Sequence, residues 1–374
     1  MNFTFTFAFE VGIAIALLLV VFWGKPEYGL FAYGAALGLP DLAVTLGTAI
    51  NLRLDDALIV FFLLRSFLWS LAPLTPAQRS IVKWQMFLAA ACSFSALVGF
   101  ASGAPPAAYE TIKMIGCVAI LIALPRLLLT RRRFRFLVAG LMCGGIALVV
   151  QIAQRLRSGP ATFLGSFQEL KNAAAFSTWN PNTIGQASML LAFAAGLGWI
   201  VFRKSRIYSA IWLGFATVFS LIPTLVFAFD RWNTAVEAIR NGPFLGRGFG
   251  QEWIYLSGVG SEGRAHNAYM TVCIELGFGG LALLLFATYQ FISNGMALFK
   301  DPEFHACGAL LIAMIATVCM DSLASSTLYW EKLPTIALSI GIALIGICER
   351  NRASADQQDT PAAAYEALPQ HSSV

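Results

Sequence analysis

The sequence predicts an all-α polytopic integral membrane protein with about 11 or 12 transmembrane helices. Hydrophobic residues make up 58% of its 374 positions, charged residues only 12%, and the mean hydropathy is +0.70. Because a soluble domain carries about 25% charged residues, this composition excludes a soluble globular protein. Apolar runs of about 20 residues, which can cross a bilayer as helices, recur along the chain.

Each of these apolar runs is predicted to be one span. The predicted spans lie near 8–23, 28–50, 56–73, 82–101, 112–129, 134–153, 184–202, 207–229, 267–290, 304–325 and 332–348. The first lacks the basic n-region and cleavage site of a signal peptide, so we expect it to persist as a span. The second contains Pro40-Asp41, which leaves open a division into two short segments.

The domain organisation follows from the end of the last apolar run. Residues 1–348 are predicted to form a single transmembrane domain. Residues 349–374 are rich in Asp, Gln, Ser, Ala and Pro, a composition that predicts a disordered cytoplasmic tail.

Lysines and arginines indicate the orientation in the membrane. The densest clusters, Arg131-Arg132-Arg133-Phe134-Arg135 and Arg203-Lys204-Ser205-Arg206, lie in short connections and are expected in the cytoplasm. Alternation of the spans then places the loops near 154–183, 230–266 and 326–331 on the outer face. The cations in those loops have two interpretations, which the sequence leaves open: charges tolerated in long translocated loops, or functional groups.

Charge and cysteine usage exclude several kinds of partner. The net charge of +5 resides largely in clusters that membrane orientation requires, so it does not predict nucleic-acid binding. The seven cysteines all fall in predicted spans and form no CxxC pair. This pattern disfavours a disulfide framework and a zinc site.

The stretch Arg264-Ala265-His266-Asn267-Ala268-Tyr269 is the most informative in the chain. It runs directly into a span that contains Gly277, Gly279 and Gly280, and His266 is one of only three histidines. An imidazole beside arginines at the outer boundary indicates acid–base chemistry on a lipid-bound anionic substrate. The alternative interpretation is an interfacial histidine without a catalytic role.

A second informative stretch precedes it in the outer loop. Asp230 can cap a helix that Asn241-Gly242-Pro243 ends, and Trp232, Val236 and Ile239 share one face of that helix. This pattern predicts a short amphipathic helix on the bilayer surface, which puts Arg231 and Arg240 near the lipid phosphates. Gly246-Arg247-Gly248-Phe249-Gly250 follows as a flexible loop with another cation; no strand precedes it, which disfavours a nucleotide-binding loop.

Two further features have structural interpretations. In Asn180-Pro181-Asn182-Thr183, Asn-Pro is a turn signal, and Asn182 or Thr183 can cap the next helix; side chains that face a sugar are the alternative. Glu110 and Lys113 are one helical turn apart and are expected to form a self-neutralising pair.

Taken in order, these stretches resemble the O-antigen ligase and polymerase superfamily. His266-Asn267, nine residues and then Gly277-x-x-Gly280 resembles the family signature. The segment from Trp232 through Asn241-Gly242-Pro243 to Gly246-x-Gly248-x-Gly250 is similar to its "W…NP…G.G.G" stretch. Asn180-Pro181-Asn182 is similar to its "NPN" helix opening, and Asn51-Leu52-Arg53-Leu54-Asp55-Asp56 to its "LR.D" boundary.

The resemblance implies metal-independent glycosyl transfer on the periplasmic face of the bacterial inner membrane, without a cofactor. The donor would be a glycan on undecaprenyl pyrophosphate, and the acceptor a hydroxyl of lipid A core, of another glycan or of a protein. Arginine forks that tighten on the departing pyrophosphate lower the barrier. A histidine beside arginines is expected to stay neutral and able to accept a proton.

The resemblance also implies roles for particular residues. His266 would be the general base, and Arg231 the leading pyrophosphate clamp. Residues predicted to contact substrate are Arg264, Arg247, Arg240, Asn267, Asn180, Asn182 and Asp321. The last of these could orient His266 or the acceptor.

The sequence departs from the family pattern at two arginines. In the family an arginine usually precedes the tryptophan by a few residues, whereas position 228 is alanine here. The family's outer "SR" pair also has no match, because Ser205-Arg206 is predicted to be cytoplasmic; Arg155, Arg157 or Lys171 could replace that arginine.

Two alternatives remain at the level of sequence. An O-antigen or exopolysaccharide polymerase would use the same donor with a lipid-linked glycan as acceptor, whereas a ligase would use lipid A core. A flippase or transporter of lipid-linked glycans belongs to another class; it predicts charges spread through the spans and internal symmetry. The informative charges of this chain gather at the outer boundaries, which favours the transferase.

Overall fold

The structure of the protein is a computed structural model. It describes residues 12, 15–21, 24–36, 43–46, 50–53, 64, 71–101, 108–158, 181–202, 235–236, 239–240, 246–252, 267–323, 329–330 and 332–359. Its helices are α1 (Pro26–Ala35), α2 (Pro76–Ala101), α3 (Ala108–Leu127), α4 (Arg131–Ser158), α5 (Pro181–Phe202), α6 (Ala268–Phe299), α7 (His305–Asp321) and α8 (Lys332–Asp359). Residues 15–21, 235–236 and 239–240 are helical as well.

The described residues form an α-helical membrane protein, as the composition predicts. Four helical stretches among them are long and apolar enough to cross a membrane: Pro76–Ala101, Arg132–Gln151, Ala268–Phe299 and Leu333–Ser354. Gln186–Ile200 and His305–Asp321 are shorter apolar helices. The count of 11 or 12 spans stays a prediction, because the run 207–229 and most of 56–73 lie outside the described residues.

The predicted span at 28–50 is not one continuous helix. α1 ends at Ala35, and two antiparallel strands follow, β1 (Ala43–Leu46) and β2 (Ile50–Arg53). Pro40 lies between α1 and β1 in the sequence, where it has no amide to continue a helix. The strands contain β-branched residues, which favour extended backbone. The run therefore contains a short helix and a pair of strands, and whether it contributes one span, two or none stays open.

The last helix extends beyond the boundary predicted at residue 348. α8 runs through residues 349–359, which the composition predicts to be disordered. Contacts with other helices explain the difference: Glu349 Oε1 accepts a hydrogen bond from the Ala77 amide at 3.3 Å, and Arg352 pairs with Asp301. Residues 360–374 lie outside the described part of the chain.

The pair between Arg352 and Asp301 anchors this extension to the connection between α6 and α7. Arg352 also lies over the ring of Phe304, with Cζ 5.3 Å from the ring centroid. Partial burial of Asp301 opposes ionisation, but hydrogen bonds from the Glu303 amide and from Arg352 outweigh it and lower the pKa of the Asp301 carboxyl. The extended helix is thus held partly by an ionised aspartate.

Close helix contacts bring the elements of the site together. α6 packs against α2 and α7, and α8 packs against α3. Gln78 of α2 is buried, and its Nε2 donates to Ile342 O of α8 at 3.0 Å. Gly346 lies against that amide, where a Cβ would come within 2.0 Å of Nε2. A satisfied polar group between apolar helices fixes their relative position.

Candidate functional site

α6, the helix that follows His266 in the sequence, is interrupted within its first third. Its N-cap is Asn267, whose side chain accepts a hydrogen bond from the Met270 amide at 3.0 Å. At Gly277 the backbone adopts φ 70° and ψ −169°, a conformation essentially confined to glycine. A glycine in an apolar span most simply permits close helix packing, but the positive φ shows that Gly277 permits a break in the helix. The break frees backbone carbonyls on its N-terminal side for other partners.

Residues 246–252, here called the glycine loop, supply those partners. The Arg247 amide donates to Ile274 O at 2.7 Å, and the Gly248 amide donates to Glu275 O at 3.1 Å. Gly246 and Gly248 have φ values of +69° and +109°, which L side chains rarely adopt. The loop therefore follows a path that glycine permits, and its amides complete the hydrogen bonding of the broken helix.

Ser95 of α2 joins the same contact from a third element. Its hydroxyl donates to Glu275 O at 3.2 Å and accepts from the Phe249 amide at 3.1 Å. One side chain thereby links α2, α6 and the glycine loop. This contact among Ser95, Ile274–Glu275 and Arg247–Phe249 is here called the joint. A single hydroxyl with both roles satisfied is a specific connection between elements distant in sequence.

A small cavity adjoins this joint. Its lining residues come from α3, the glycine loop, α6 and the connection before α8: Glu110, Lys113, Phe249, Glu252, Thr271, Glu275, Tyr329 and Trp330. The cavity has room for about one water molecule. It is thus a place for a water or a proton rather than for a whole sugar.

Two buried carboxyls, Glu252 and Glu275, lie on the cavity wall. They are 2% and 4% exposed. The Glu252 amide donates to Glu275 Oε1 at 3.4 Å, and Glu252 Oε1 lies 3.0 Å from Thr271 Oγ1. Among the described residues, Glu275 Oε2 makes no hydrogen bond. A buried carboxyl oxygen without a donor is costly, which marks this position as functional or proton-dependent.

The cavity wall also includes the charged pair of α3, Glu110 and Lys113. Lys113 Nζ lies 3.7 Å from Glu110 Oε2, and both side chains are mostly buried. This confirms the pair predicted from the spacing of Glu110 and Lys113. Its position on the cavity was not predicted.

Tyr329 and Trp330 close the cavity from the connection between α7 and α8. Trp330 has φ 57°, an unusual conformation for a bulky residue. Its indole Nε1 donates to Cys92 Sγ at 3.3 Å, and the Tyr329 hydroxyl lies 3.4 Å from the same sulfur. Burial raises the pKa of the Tyr329 hydroxyl well above its usual value, and the neighbouring Cys92 and Glu275 add to this effect. Tyr329 therefore remains a neutral hydrogen-bonding group.

The structure gives positions for some of the predicted site residues. Asn267 is buried as the N-cap of α6, and its Nδ2 also donates to Leu323 O at 3.0 Å. Asp321 is buried at the C-terminal end of α7. The adjoining Ser322 O accepts from the Ala268 amide at 2.8 Å, so Asp321 lies beside the start of α6. The role predicted for Asp321 beside His266 stays a prediction, because His266 lies outside the described residues.

Arg247 and Arg240 are both exposed. Arg247 lies on the glycine loop, directly after Gly246. Arg240 belongs to the short helical segment before that loop, in which Ala235 is buried against Ile274 of α6. Val236, which the sequence predicts on the apolar face toward the bilayer, is 37% exposed, whereas Ala235 and Ile239 pack against α6.

Other predicted residues fall outside the described part of the chain. These are His266, Arg231, Arg264 and Asn180. Asn182 lies in the first turn of α5, and only its backbone is described. α5 begins at Pro181, ahead of both residues predicted to cap it, because proline is well suited to the first helical position.

Several residues of the cavity carry weak signals in the sequence. Glu252 follows the glycine stretch as an ordinary polar residue, and Tyr329-Trp330 lies in a short predicted loop. Ser95 has no neighbouring motif. An acidic residue inside an apolar span is a stronger signal, and Glu275 carries it. Within the described residues, no group of three or more His, Cys, Asp or Glu side chains is arranged to hold a metal ion.

Comparisons with known proteins add no assignment to this site. No family model, curated protein or solved structure matches the chain.

Proposed function

We propose that this chain is a membrane glycosyltransferase of the O-antigen ligase type. It moves a glycan from undecaprenyl pyrophosphate to a hydroxyl of lipid A core at the periplasmic face of the bacterial inner membrane. The C-terminus lies in the cytoplasm in this proposal. The motifs along the chain support the assignment, and the composition supports a lipid bilayer as its surroundings.

The contact between the glycine loop and α6 is the observation that carries this proposal. The segment after His266 is the most specific part of the resemblance, and Gly246–Gly250 belongs to a second matching stretch. The two are hydrogen-bonded to each other through Arg247 N and Ile274 O at 2.7 Å. Residues that act on one substrate must be held in one place. The hydrogen bond between the glycine loop and α6 meets that requirement, because it holds the two motif segments side by side.

The chemistry assigned to the residues follows from charge. The acceptor oxygen forms a bond to the anomeric carbon, and the glycosidic electron pair leaves with the pyrophosphate. Arg231 and Arg264, with Arg247 on the glycine loop, bind the departing pyrophosphate and stabilise its growing charge. His266 takes the acceptor proton, and Asp321, at the end of α7 beside the start of α6, orients the imidazole.

A two-component assay tests the proposal. Purified protein is mixed with lipid-linked glycan and one acceptor at a time, without nucleotide or metal, and release of undecaprenyl pyrophosphate is followed. The ligase proposal requires release that depends on lipid A core. Release with lipid-linked glycan as the acceptor would identify a polymerase instead. The absence of release with every acceptor, together with passage of labelled donor across proteoliposomes, would identify a flippase and overturn the transferase.

A further inference from the structure

Thr271 holds the side chain of Glu252 against the first turn of α6. Thr271 Oγ1 lies 2.9 Å from Asn267 O and 3.0 Å from Glu252 Oε1. Asn267 O already accepts the Thr271 amide at 2.9 Å, so the hydroxyl is available to Glu252. Because a hydroxyl both donates and accepts, this contact accommodates Glu252 with or without a proton.

On the other side of the contact, Glu275 has a carboxyl oxygen that no described residue satisfies. It is 4% exposed, it lines the cavity, and its Oε2 makes no hydrogen bond among the described residues. Its Oε1 accepts from the Glu252 amide at 3.4 Å, so the two glutamates are in direct contact. Two ionised carboxylates here would both lose hydration, and their like charges would repel each other.

We propose that Glu252 and Glu275 form a proton-binding site, in which at least one of the two carboxyls is protonated at neutral pH. The proton comes from water through the cavity and returns to it. The site rests on the contacts between these residues and does not depend on the transferase activity. The pair joins the glycine loop to α6, since Glu252 belongs to the loop and Glu275 to the helix.

Other ionisable groups face the pair from the elements packed around it. Lys113 of α3 faces the cavity together with Glu110, and these two lie 3.7 Å apart. Tyr329 faces Glu275 from the connection before α8, and Cys92 of α2 lies behind Tyr329. A proton on Glu275 gives its carboxyl a hydrogen to donate to a water in the cavity.

Proton occupancy at this site controls how firmly the glycine loop is attached. With one carboxyl protonated, the contact between the loop and α6 is a hydrogen-bonded one. Loss of the proton places two negative charges at the contact and weakens it, although the amide bonds from Arg247 and Gly248 remain. The site therefore links pH to the position of the loop that carries Arg247.

Infrared spectroscopy of the intact purified protein tests the site directly. A protonated carboxyl has a carbonyl band that carboxylates lack, and ordinary aspartates and glutamates, with pKa values of about 4, are ionised at pH ~7. Spectra are recorded at neutral pH for wild type, Glu252→Gln, Glu275→Gln and the matched control Glu303→Gln, whose side chain is exposed. Elution profile and thermal unfolding verify that each variant is folded.

The site requires a carboxylic-acid band in wild type that Glu275→Gln or Glu252→Gln removes and Glu303→Gln leaves in place. Glutamine has nearly the shape of a protonated glutamate, so both variants are expected to fold. A wild-type spectrum without the band would overturn the proposal even if neither variant folds. A band that persists in both folded variants belongs to another carboxyl and would overturn it as well.

Discussion

Gly246 lies against the backbone of Glu275 so closely that a Cβ at Gly246 would come within 2.4 Å of the Glu275 carbonyl carbon and oxygen. The approach is possible because α6 is broken at Gly277, which frees the Glu275 carbonyl for the Gly248 amide at 3.1 Å. Gly246 on the loop and Gly277 in the helix together permit this close contact. The joint holds the glycine loop beside the helix that begins after His266.

Gly277→Ala should destabilise the protein by about 1–3 kcal/mol, because alanine is strained at φ 70° and ψ −169°. Gly279→Ala is the matched control in the same helix: its Cβ would meet nothing within 4 Å. Thermal unfolding in detergent compares the two variants with wild type. Equal unfolding temperatures for both would contradict the break at Gly277.

Ser95→Ala should cost about 1–2 kcal/mol of stability, since it removes one donor and one acceptor from the joint. Ser93→Ala on the same helix is the control, as the Ser93 hydroxyl donates only locally, to Ala89 O at 2.9 Å. Chemical denaturation of both variants measures the difference. If Ser93→Ala costs as much as Ser95→Ala, the hydroxyl of Ser95 does not link the three elements.

Arg231→Lys should weaken donor binding on the order of tenfold, because losing one charge-assisted hydrogen bond costs about 1.5 kcal/mol. An ammonium is a point charge and cannot hold a phosphate through two parallel bonds. Arg132→Lys, at the start of α4, is the control for the same change at an exposed arginine. Binding of labelled lipid-linked glycan is measured for each. Unchanged affinity in Arg231→Lys would remove this residue from the site.

Arg352→Ala should destabilise the extension of α8 at neutral pH and much less in acid. The pKa of Asp301 is lowered in the folded state, so its contribution is present above its unfolded value of about 4. That contribution is lost as pH falls through the lower folded value. Unfolding of wild type and variant is compared between neutral and acid pH; a difference that stays constant would contradict the ionised pair.

Individual residues show how far the sequence predicts the fold. The spacing of Glu110 and Lys113 predicts their ion pair because both lie on one helix, where local geometry is sufficient. Pro40 predicts the end of a helical run for an equally local reason. The ordered tail was missed because residues 349–359 are held by Asp301 and Ala77, which are distant in sequence.

In the candidate site too, local features follow from the sequence, whereas contacts between distant residues do not. Gly277 in an apolar span reads as a packing residue, and its role as a helix break is apparent only with the glycine loop in contact. An acid at position 275 is conspicuous in a span, but its neighbour Glu252 follows from tertiary packing alone. The roles of His266, Arg231 and Arg264 stay predictions that rest on the motif resemblance.

Release of undecaprenyl pyrophosphate by His266→Ala tests the central claim most directly. The matched control is His305→Ala, because His305 follows the opposite end of α6, with Nδ1 2.6 Å from Phe299 O. Both variants are purified, checked for wild-type expression and elution, and assayed with lipid-linked glycan and the acceptor that supports release. The account predicts acceptor-dependent release by wild type and His305→Ala and none by His266→Ala. Release by His266→Ala at the wild-type rate would contradict it.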